Sequence, residues 1–412
     1  MAGVKTSAVW TNTRPAKGVE PWAGNIRERV RAIVPAIVEI RHRLHRNPEL
    51  ADQEHATAAL VRKALRATAA RLLPPFLGTD VVGLLQGATR GRNVTLRADM
   101  DALPLAEKTG LPYRSRKPGL MHACGHDGHT AMLIGAAWVL SGLRRRFAGS
   151  VRFVFQPGEE LAASGKALVA KGALRDPAPD AVLALHGWNQ LPVGVLGAKA
   201  GPAMAAADAF QIVVKGKGGH AAYPHLVTDP IVTAAQIVAQ LQTVVARRLP
   251  PLAPAVLSVC RFQAGANGNV IPDTAELEGT IRYLDAKIGE RIGRQVEQIV
   301  EGVCAAAGAH YELRFTRVYI PTVNDRRVVA LGRRVAKGAL GKAFWRDVAE
   351  PSMGAEDFAY YLQGNPGAIF RLGLGDSTAP LHSPQFDFND AALENGMTFL
   401  VEAALASLAA PR

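Results

Sequence analysis

The sequence predicts an α/β chain: a mainly parallel sheet covered by helices, interrupted by an inserted ferredoxin-like α+β domain. Three observations predict it. At 412 residues the chain is longer than one ordinary core supports, and 48% of it is apolar, enough to fill two cores. Up to about residue 200, and again from Asp325, apolar runs of strand length alternate with helical patterns, as in sheets with helical crossovers. Between about 204 and 316 the order changes to strand, helix, strand, strand, helix, strand, a βαββαβ unit. The expected organisation is therefore an N-terminal arm over 1–24, a discontinuous domain over 25–203 and 317–412, and an inserted domain over 204–316.

In chain order, a helical pattern runs from Asn25 to Leu65, interrupted from His45 to Leu50. Val81 to Leu85 and Val94 to Arg97 read as strands. A helix is expected over 128–143, with Asp127 placed to cap it. Val151 to Phe155 reads as a buried strand that Gln156-Pro157-Gly158 stops, and Ala181 to Leu185 and Ala368 to Leu372 read likewise. In the inserted domain the strands fall at 209–215, 255–264, 274–283 and 311–316, and the helices at 228–248 and 286–307. Pro250-Pro251-Leu252-Ala253-Pro254 forms a rigid turn there.

The run His122-Ala123-Cys124-Gly125-His126-Asp127-Gly128-His129 sets three imidazoles, one thiol and one carboxylate among small residues. Thiolate and imidazole both bind Zn, Mn, Ni or Co tightly. Cys124 and His126 stand two apart, so an extended or looped backbone projects both side chains to one side. Taken alone, the run also fits a small buried Cys124 with histidines that cap or hydrogen-bond. The strand ends add to it. Glu159 and Glu160 follow one strand, His186 another, and His382 a third after a glycine-rich turn. Open α/β sheets place their sites beyond the C-terminal ends of such strands. Of two adjacent carboxylates, one can ligate a metal while the other takes a proton from an activated water.

The net charge of +13 raises nucleic acid as a partner, but the cations are dispersed and no nucleic-acid-binding motif is present. The one tight cluster, Arg144-Arg145-Arg146, ends a helix, where cations complement the dipole. Attraction of small anionic substrates is a better use of the charge. The cysteines, Cys124, Cys260 and Cys304, form no disulfide framework, which points to a reducing, cytoplasmic setting. The first 25 residues hold no apolar signal region, and no apolar run approaches the ~18 to 20 residues of a membrane span. Lys215-Gly216-Lys217-Gly218-Gly219-His220 is glycine-rich but lacks the Gly-Lys-Ser/Thr ending of a phosphate loop.

The chain resembles the co-catalytic metallopeptidase family of aminoacylases and carboxypeptidase G, in the branch of hippurate hydrolase, N-acyl-L-amino-acid amidohydrolases and auxin–amino-acid conjugate hydrolases. The resemblance lies in Arg43 to Leu50 (RLHRNPEL), Arg97 to Pro104 (RADMDALP), the His122–His129 run and Gln156 to Glu160 (QPGEE). It continues in Gly218 to Ala222 (GGHAA), Asn269 to Pro272 (NVIP), Ser352 to Phe358 (SMGAEDF) and Leu381 to Pro384 (LHSP). These run in family order from about residue 38 to 405.

The resemblance implies two divalent metal ions (Mn, Zn, Ni or Co) held by Cys124, His126, Glu160, His186 and His382. It implies Glu159 as general base and then acid, and His220 as a donor that polarises the scissile carbonyl. Asn269 and Arg282 are implied as contacts of the substrate carboxylate, against plain readings as a turn asparagine and a strand-end arginine. Asp99 is implied as a carboxylate that orients a ligand; for it and Asp101, a turn-forming role reads as well. Relatives elsewhere in the family carry a histidine ligand near the place of Arg97 and Ala98. The inserted domain is implied as a lid and a dimerisation surface, giving a homodimer or higher homo-oligomer.

The chain departs from the branch pattern in three places. Gly158 stands where alanine is usual, Leu161-Ala162-Ala163 where glycine follows the glutamates, and Asp52 where an aromatic is common. The expected activity is hydrolysis of the amide bond of an N-acyl amino acid, with no nucleic acid and no membrane as partner. A small-peptide carboxypeptidase or dipeptidase is the alternative. A cysteine hydrolase using Cys124 would leave Glu159, Glu160, His186 and His382 unexplained, and a non-catalytic binding protein would leave Glu159 without purpose.

Overall fold

The computed structural model describes residues 26–410, so the expected arm at 1–24 lies outside them. The described chain divides into two compact units. One comprises residues up to Gly201, Asn324–Ala349 and the chain from Tyr360; the other comprises Pro202–Val323 and Glu350–Ala359.

The first unit is built on an eight-stranded sheet. Its spatial order is Arg71–Leu72, Val81–Gln86, Ala148–Gln156, Thr89–Asp99, Ala181–Trp188, Gly367–Gly373, Leu196–Ala198, Trp345–Asp347. The four strands from Ala148–Gln156 to Gly367–Gly373 run parallel to one another. Val81–Gln86 joins them antiparallel, as does Leu196–Ala198 on the other side. The parallel strands are apolar on both faces: Val94, Leu96, Val151, Phe153, Val154, Leu183 and Ala184 are all fully buried. Such a sheet must be covered, which is why its strands read as continuous apolar runs rather than alternating ones. Helix His126–Leu143 packs against Ile26–Arg46 and Leu393–Ala409. It is buried almost all round, and Gly135 and Gly396 bring neighbouring methionine sulfurs to where a methyl would sit.

The first helix pair, Ile26–Arg46 and His55–Arg66, falls where the pattern placed it. One local expectation is corrected. Asp127 does not cap the helix; the helix starts at His126, because Gly125 takes a left-handed φ of 89° and turns the chain. The Asp127 carboxylate instead accepts from Arg41 Nη1 at 3.2 Å and from His45 Nδ1 at 2.9 Å, all three side chains being buried. This network ties the helix start to Ile26–Arg46.

In the second unit four antiparallel strands lie in the order Ala255–Ala264, Thr274–Tyr283, Ala206–Lys215, His310–Tyr319. Numbered along the chain this is 2-3-1-4, the ferredoxin-like arrangement of a βαββαβ unit. The helices Pro230–Thr243 and Ala286–Ala307 bury Ile237, Leu241, Ile292 and Val296 against Ile212, Leu277 and Ile281. Asp229 and Asp285 cap them with side-chain bonds. The first helix ends as an α-helix at Thr243 and continues as a wider turn over Val244–Arg248. The last strand runs to Tyr319, beyond the expected 316, and the unit takes in Glu350–Ala359 as well. Main-chain bonds explain the latter: Ser352 N donates to Ala203 O at 2.9 Å, and Ala205 N to Gly354 O at 2.9 Å.

Candidate metal centre

The expected ligands of the first unit come from four separate segments of the chain. His186 lies in the parallel strand Ala181–Trp188, and Glu159 and Glu160 open a short helix directly after strand Ala148–Gln156. Cys124 immediately precedes the turn at Gly125, and His126 is the first helical residue. His382 arrives on a loop, and its amide donates to Ala123 O at 2.8 Å, which sets it beside Cys124.

Ligand atoms of Cys124, His126 and His186 lie within 4.8 Å of one another, and so do those of Cys124, Glu160 and His382. Cys124 Sγ is 3.5 Å from His186 Nε2, and His382 Nε2 is 3.1 Å from Glu160 Oε1. The five residues thus form two overlapping groups that share the thiol. Glu159 belongs to a third group with His126 and Glu160, and it is buried.

The hydrogen bonds aim the rings. His126 Nδ1 donates to the carbonyl oxygen of Asp101 at 3.0 Å and lies 3.2 Å from Asp101 Oδ1. His186 Nδ1 donates to Gly187 O at 2.8 Å. A carbonyl oxygen only accepts, so each Nδ1 carries a hydrogen and each Nε2 is left to face the shared centre. His126 Nε2 is buried there without a hydrogen-bond partner. Such an atom is costly unless something fills the gap, and soft and borderline donors around it fit a transition metal. Imidazoles held at Nδ1 by backbone or carboxylate are the usual support of such ligands.

Charge agrees with that fit. Burial works to lower the pKa of His126, but Asp99, Asp101 and Glu160 outweigh it and raise it to about 10. Burial, then Glu160, Glu159 and Asp99, push the Cys124 thiol well up. Both groups therefore hold protons against a surplus of negative charge, and a cation would relieve that surplus and displace the protons. His186 is the opposite case: burial, then the neighbouring His129, lower it to about 3, leaving a neutral ring with a free lone pair. Glu160 is held low despite burial by His382 and His126.

Asp99 makes no use of a turn. Arg97 Nη1 donates to its Oδ2 at 2.6 Å and His129 Nδ1 to its Oδ1 at 2.6 Å. His129 Nε2 in turn accepts from Gly187 N at 2.8 Å, so both its nitrogens are committed and it orients rather than ligates. From the sequence, His129 has no role of its own, and a turn-forming role for Asp101 reads as well as an orienting one. Asp101 holds the His126 ring and, through Oδ2, accepts from the Glu160 amide at 2.9 Å. These partners lie 25 to 59 residues apart along the chain, so no local spacing signals them.

The departures cluster beside the glutamates. Gly158 has a φ of +58°, and a methyl there would stand 2.5 Å from Ser164 Oγ. Ser164 Oγ reaches towards Asp52 Oδ1 at 3.4 Å, and Asp52 and Ala163 both have left-handed φ angles. Gly158, Ser164 and Asp52 therefore lie together in one local cluster.

In the second unit, His220 and Asn269 are brought together. Gly219–His220 pairs with Val270–Ile271, and Ala221 N donates to Asn269 O at 3.1 Å. Ala222 N donates to His220 Nδ1 at 3.0 Å, so the exposed ring carries its hydrogen on Nε2. Arg282 is not part of this group: it pairs with Ala207 near one end of strand Thr274–Tyr283, whereas Thr274 at the other end pairs with Lys215. Asp273 takes the amides of Gly216 and Gly218 through its carbonyl and carboxylate, which fills the sites a phosphate would need. Among the described residues no helix is long and apolar enough to cross a membrane.

Strand ends of an α/β sheet that converge on thiol, imidazole and paired carboxylates define a class of site, a buried transition-metal centre with a carboxylate beside it. Residues 95–406 match the family described as Peptidase family M20/M25/M40, and the chain belongs to it. It is 39% identical to an N-acetyl-L-cysteine deacetylase of Bacillus subtilis, over 89% of this chain and 87% of that protein. It is 38% identical to thermostable carboxypeptidase 1 of Saccharolobus solfataricus, over 89% of this chain and 94% of that one. A crystal structure of a Bacillus subtilis protein, described as a dinuclear metal binding peptidase of the M20 family, superposes with a TM-score of 0.80. It is 36% identical, covering 92% of this chain and 99% of that one.

Proposed function

We propose that the protein hydrolyses the amide bond of N-acyl amino acids, releasing a carboxylic acid and a free amino acid. The observation that carries the reading is the convergence of Cys124, His126, Glu160, His186 and His382 beside a separate buried carboxylate, Glu159. The five would hold two divalent ions, of Mn, Zn, Ni or Co. Bound there, such ions supply Lewis acidity and make water a stronger acid. Glu159 takes the proton of the attacking water and later delivers it to the leaving nitrogen as the C–N bond breaks. His220 Nε2–H donates to the carbonyl oxygen as negative charge develops on it. Asn269 binds the substrate carboxylate; Arg282, at the far end of strand Thr274–Tyr283, does not share that contact within one chain. Asp99 and Asp101 hold the rings and backbone around the ions in place. The inserted unit serves as lid and as the surface of a homodimer or higher oligomer.

The deacetylase relative supports this reading, and the carboxypeptidase relative supports the alternative, in which the scissile amide is the last peptide bond of a short peptide. A panel of N-acetyl and N-benzoyl amino acids and dipeptides, run on chelator-stripped protein with each metal added back, separates them. We expect turnover to vanish on chelation, return with metal, and favour N-acyl amino acids. Dipeptides cleaved at least tenfold faster than every N-acyl amino acid would replace the main reading with the alternative.

A further inference from the structure

We propose that Glu54 is a positioning residue for Glu159, holding the turn that aims it; the proposal rests on the reading of Glu159 as general base. Glu54 has no exposed surface, although it lies at the start of the helix His55–Arg66. A carboxylate at that position ordinarily caps the helix. Here its side chain makes no capping bond. Glu49 does that work, accepting from Ala56 N at 3.2 Å and Thr57 N at 2.8 Å. Glu54 is thereby released to cross to a segment 104 residues away, where Oε1 accepts from Gly158 N at 2.9 Å. Thr79 Oγ1 donates to Oε2 at 3.0 Å and fixes the carboxylate plane.

Gly158 is the left-handed residue directly before Glu159, with φ 58° and ψ 43°. On the other side of Glu159, the Glu160 amide is held by Asp101. Two buried carboxylates therefore clamp the backbone amides flanking Glu159, one before it and one after. Burying a carboxylate is expensive, and capping a short turn does not require one. General-base catalysis does require the carboxylate to stay within hydrogen-bond reach of the proton it takes. A glycine in the left-handed region leaves a turn conformationally permissive, so bonds from outside the turn help to hold that aim.

The test uses full-length, metal-loaded enzyme carrying Glu54→Asp, Glu54→Ala or Glu54→Gln, each also combined with Glu159→Gln. Asp keeps the charge but withdraws the acceptor by one methylene; Gln keeps an acceptor oxygen in place. We expect Asp and Ala to lower kcat by roughly ten- to a hundredfold, at or below the low end of general acid/base effects because the base is misaimed rather than removed. KM and bound metal should stay within about twofold of wild type, and Gln should retain most of kcat. Added to Glu159→Gln, the Glu54 variants should cost nothing further, since they act through a group already disabled. If Ala does not fold, Asp and Gln carry the comparison. A wild-type kcat in Glu54→Asp, or a full additional loss in the Glu159→Gln background, overturns the proposal. A Glu159→Gln enzyme with unchanged kcat instead overturns the reading of Glu159 on which it rests.

Discussion

Glu159→Gln is expected to keep its metal and lose its turnover, by ~100-fold or more, the usual scale for removing general acid/base help. Its neighbour should behave differently. Glu160 is shared with Cys124 and His382 in one group and with His126 in another, and His382 stands 3.1 Å from it. Glu160→Gln replaces a charged acceptor by a neutral amide, so bound metal should fall and activity with it. The two side chains are adjacent, equally conservative to replace and anchored by the same clamp. The contrast thus isolates role from location. Metal analysis and kcat on both variants check it, and equal metal loss in the two would mean that the division of roles is wrong.

His220→Ala carries the second large effect. The ring sits on the second unit, where Ala222 N fixes its tautomer and leaves Nε2–H exposed as a donor. If that donor acts only on charge developing in the transition state, its loss should lower kcat far more than it raises KM. The expected size is that of removing one oxyanion donor, roughly 100- to 1000-fold, with metal content unchanged. Wild-type kinetics would return His220 to an ordinary surface histidine. Mixing His220→Ala with Glu159→Gln subunits adds a further reading. Recovery of part of the activity means that the donor acts across a dimer; none after verified subunit exchange places it in the same subunit or outside the mechanism.

Much of the fold was legible because its elements follow strong periods. The buried parallel strands are continuous apolar runs, and the strands of the second unit alternate, as Ala275, Leu277, Ile281 and Tyr283 show by facing one core. Short strands such as Leu196–Ala198 and Trp345–Asp347 escaped because three residues carry no period. The start of the 126–143 helix was misplaced because a carboxylate at a cap position looks the same whether it caps or pairs. Arg41 and His45, far back in the chain, claim Asp127 instead. The metal-ligating residue types stood out in the sequence by their chemistry. Their supports did not: Asp101, His129 and Glu54 act through hydrogen bonds to partners 25 or more residues away, and only tertiary structure reveals such bonds.

The central claim is that Cys124, His126, Glu160, His186 and His382 form a metal centre. Anomalous diffraction from crystals of zinc-loaded protein tests it most directly. The account predicts strong zinc peaks about 2.0 to 2.3 Å from Cys124 Sγ and from the Nε2 atoms of His126, His186 and His382, the bond lengths of thiolate and imidazole ligation. A fully active crystal batch with no anomalous peak among these side chains, or with its zinc bound elsewhere, would contradict it.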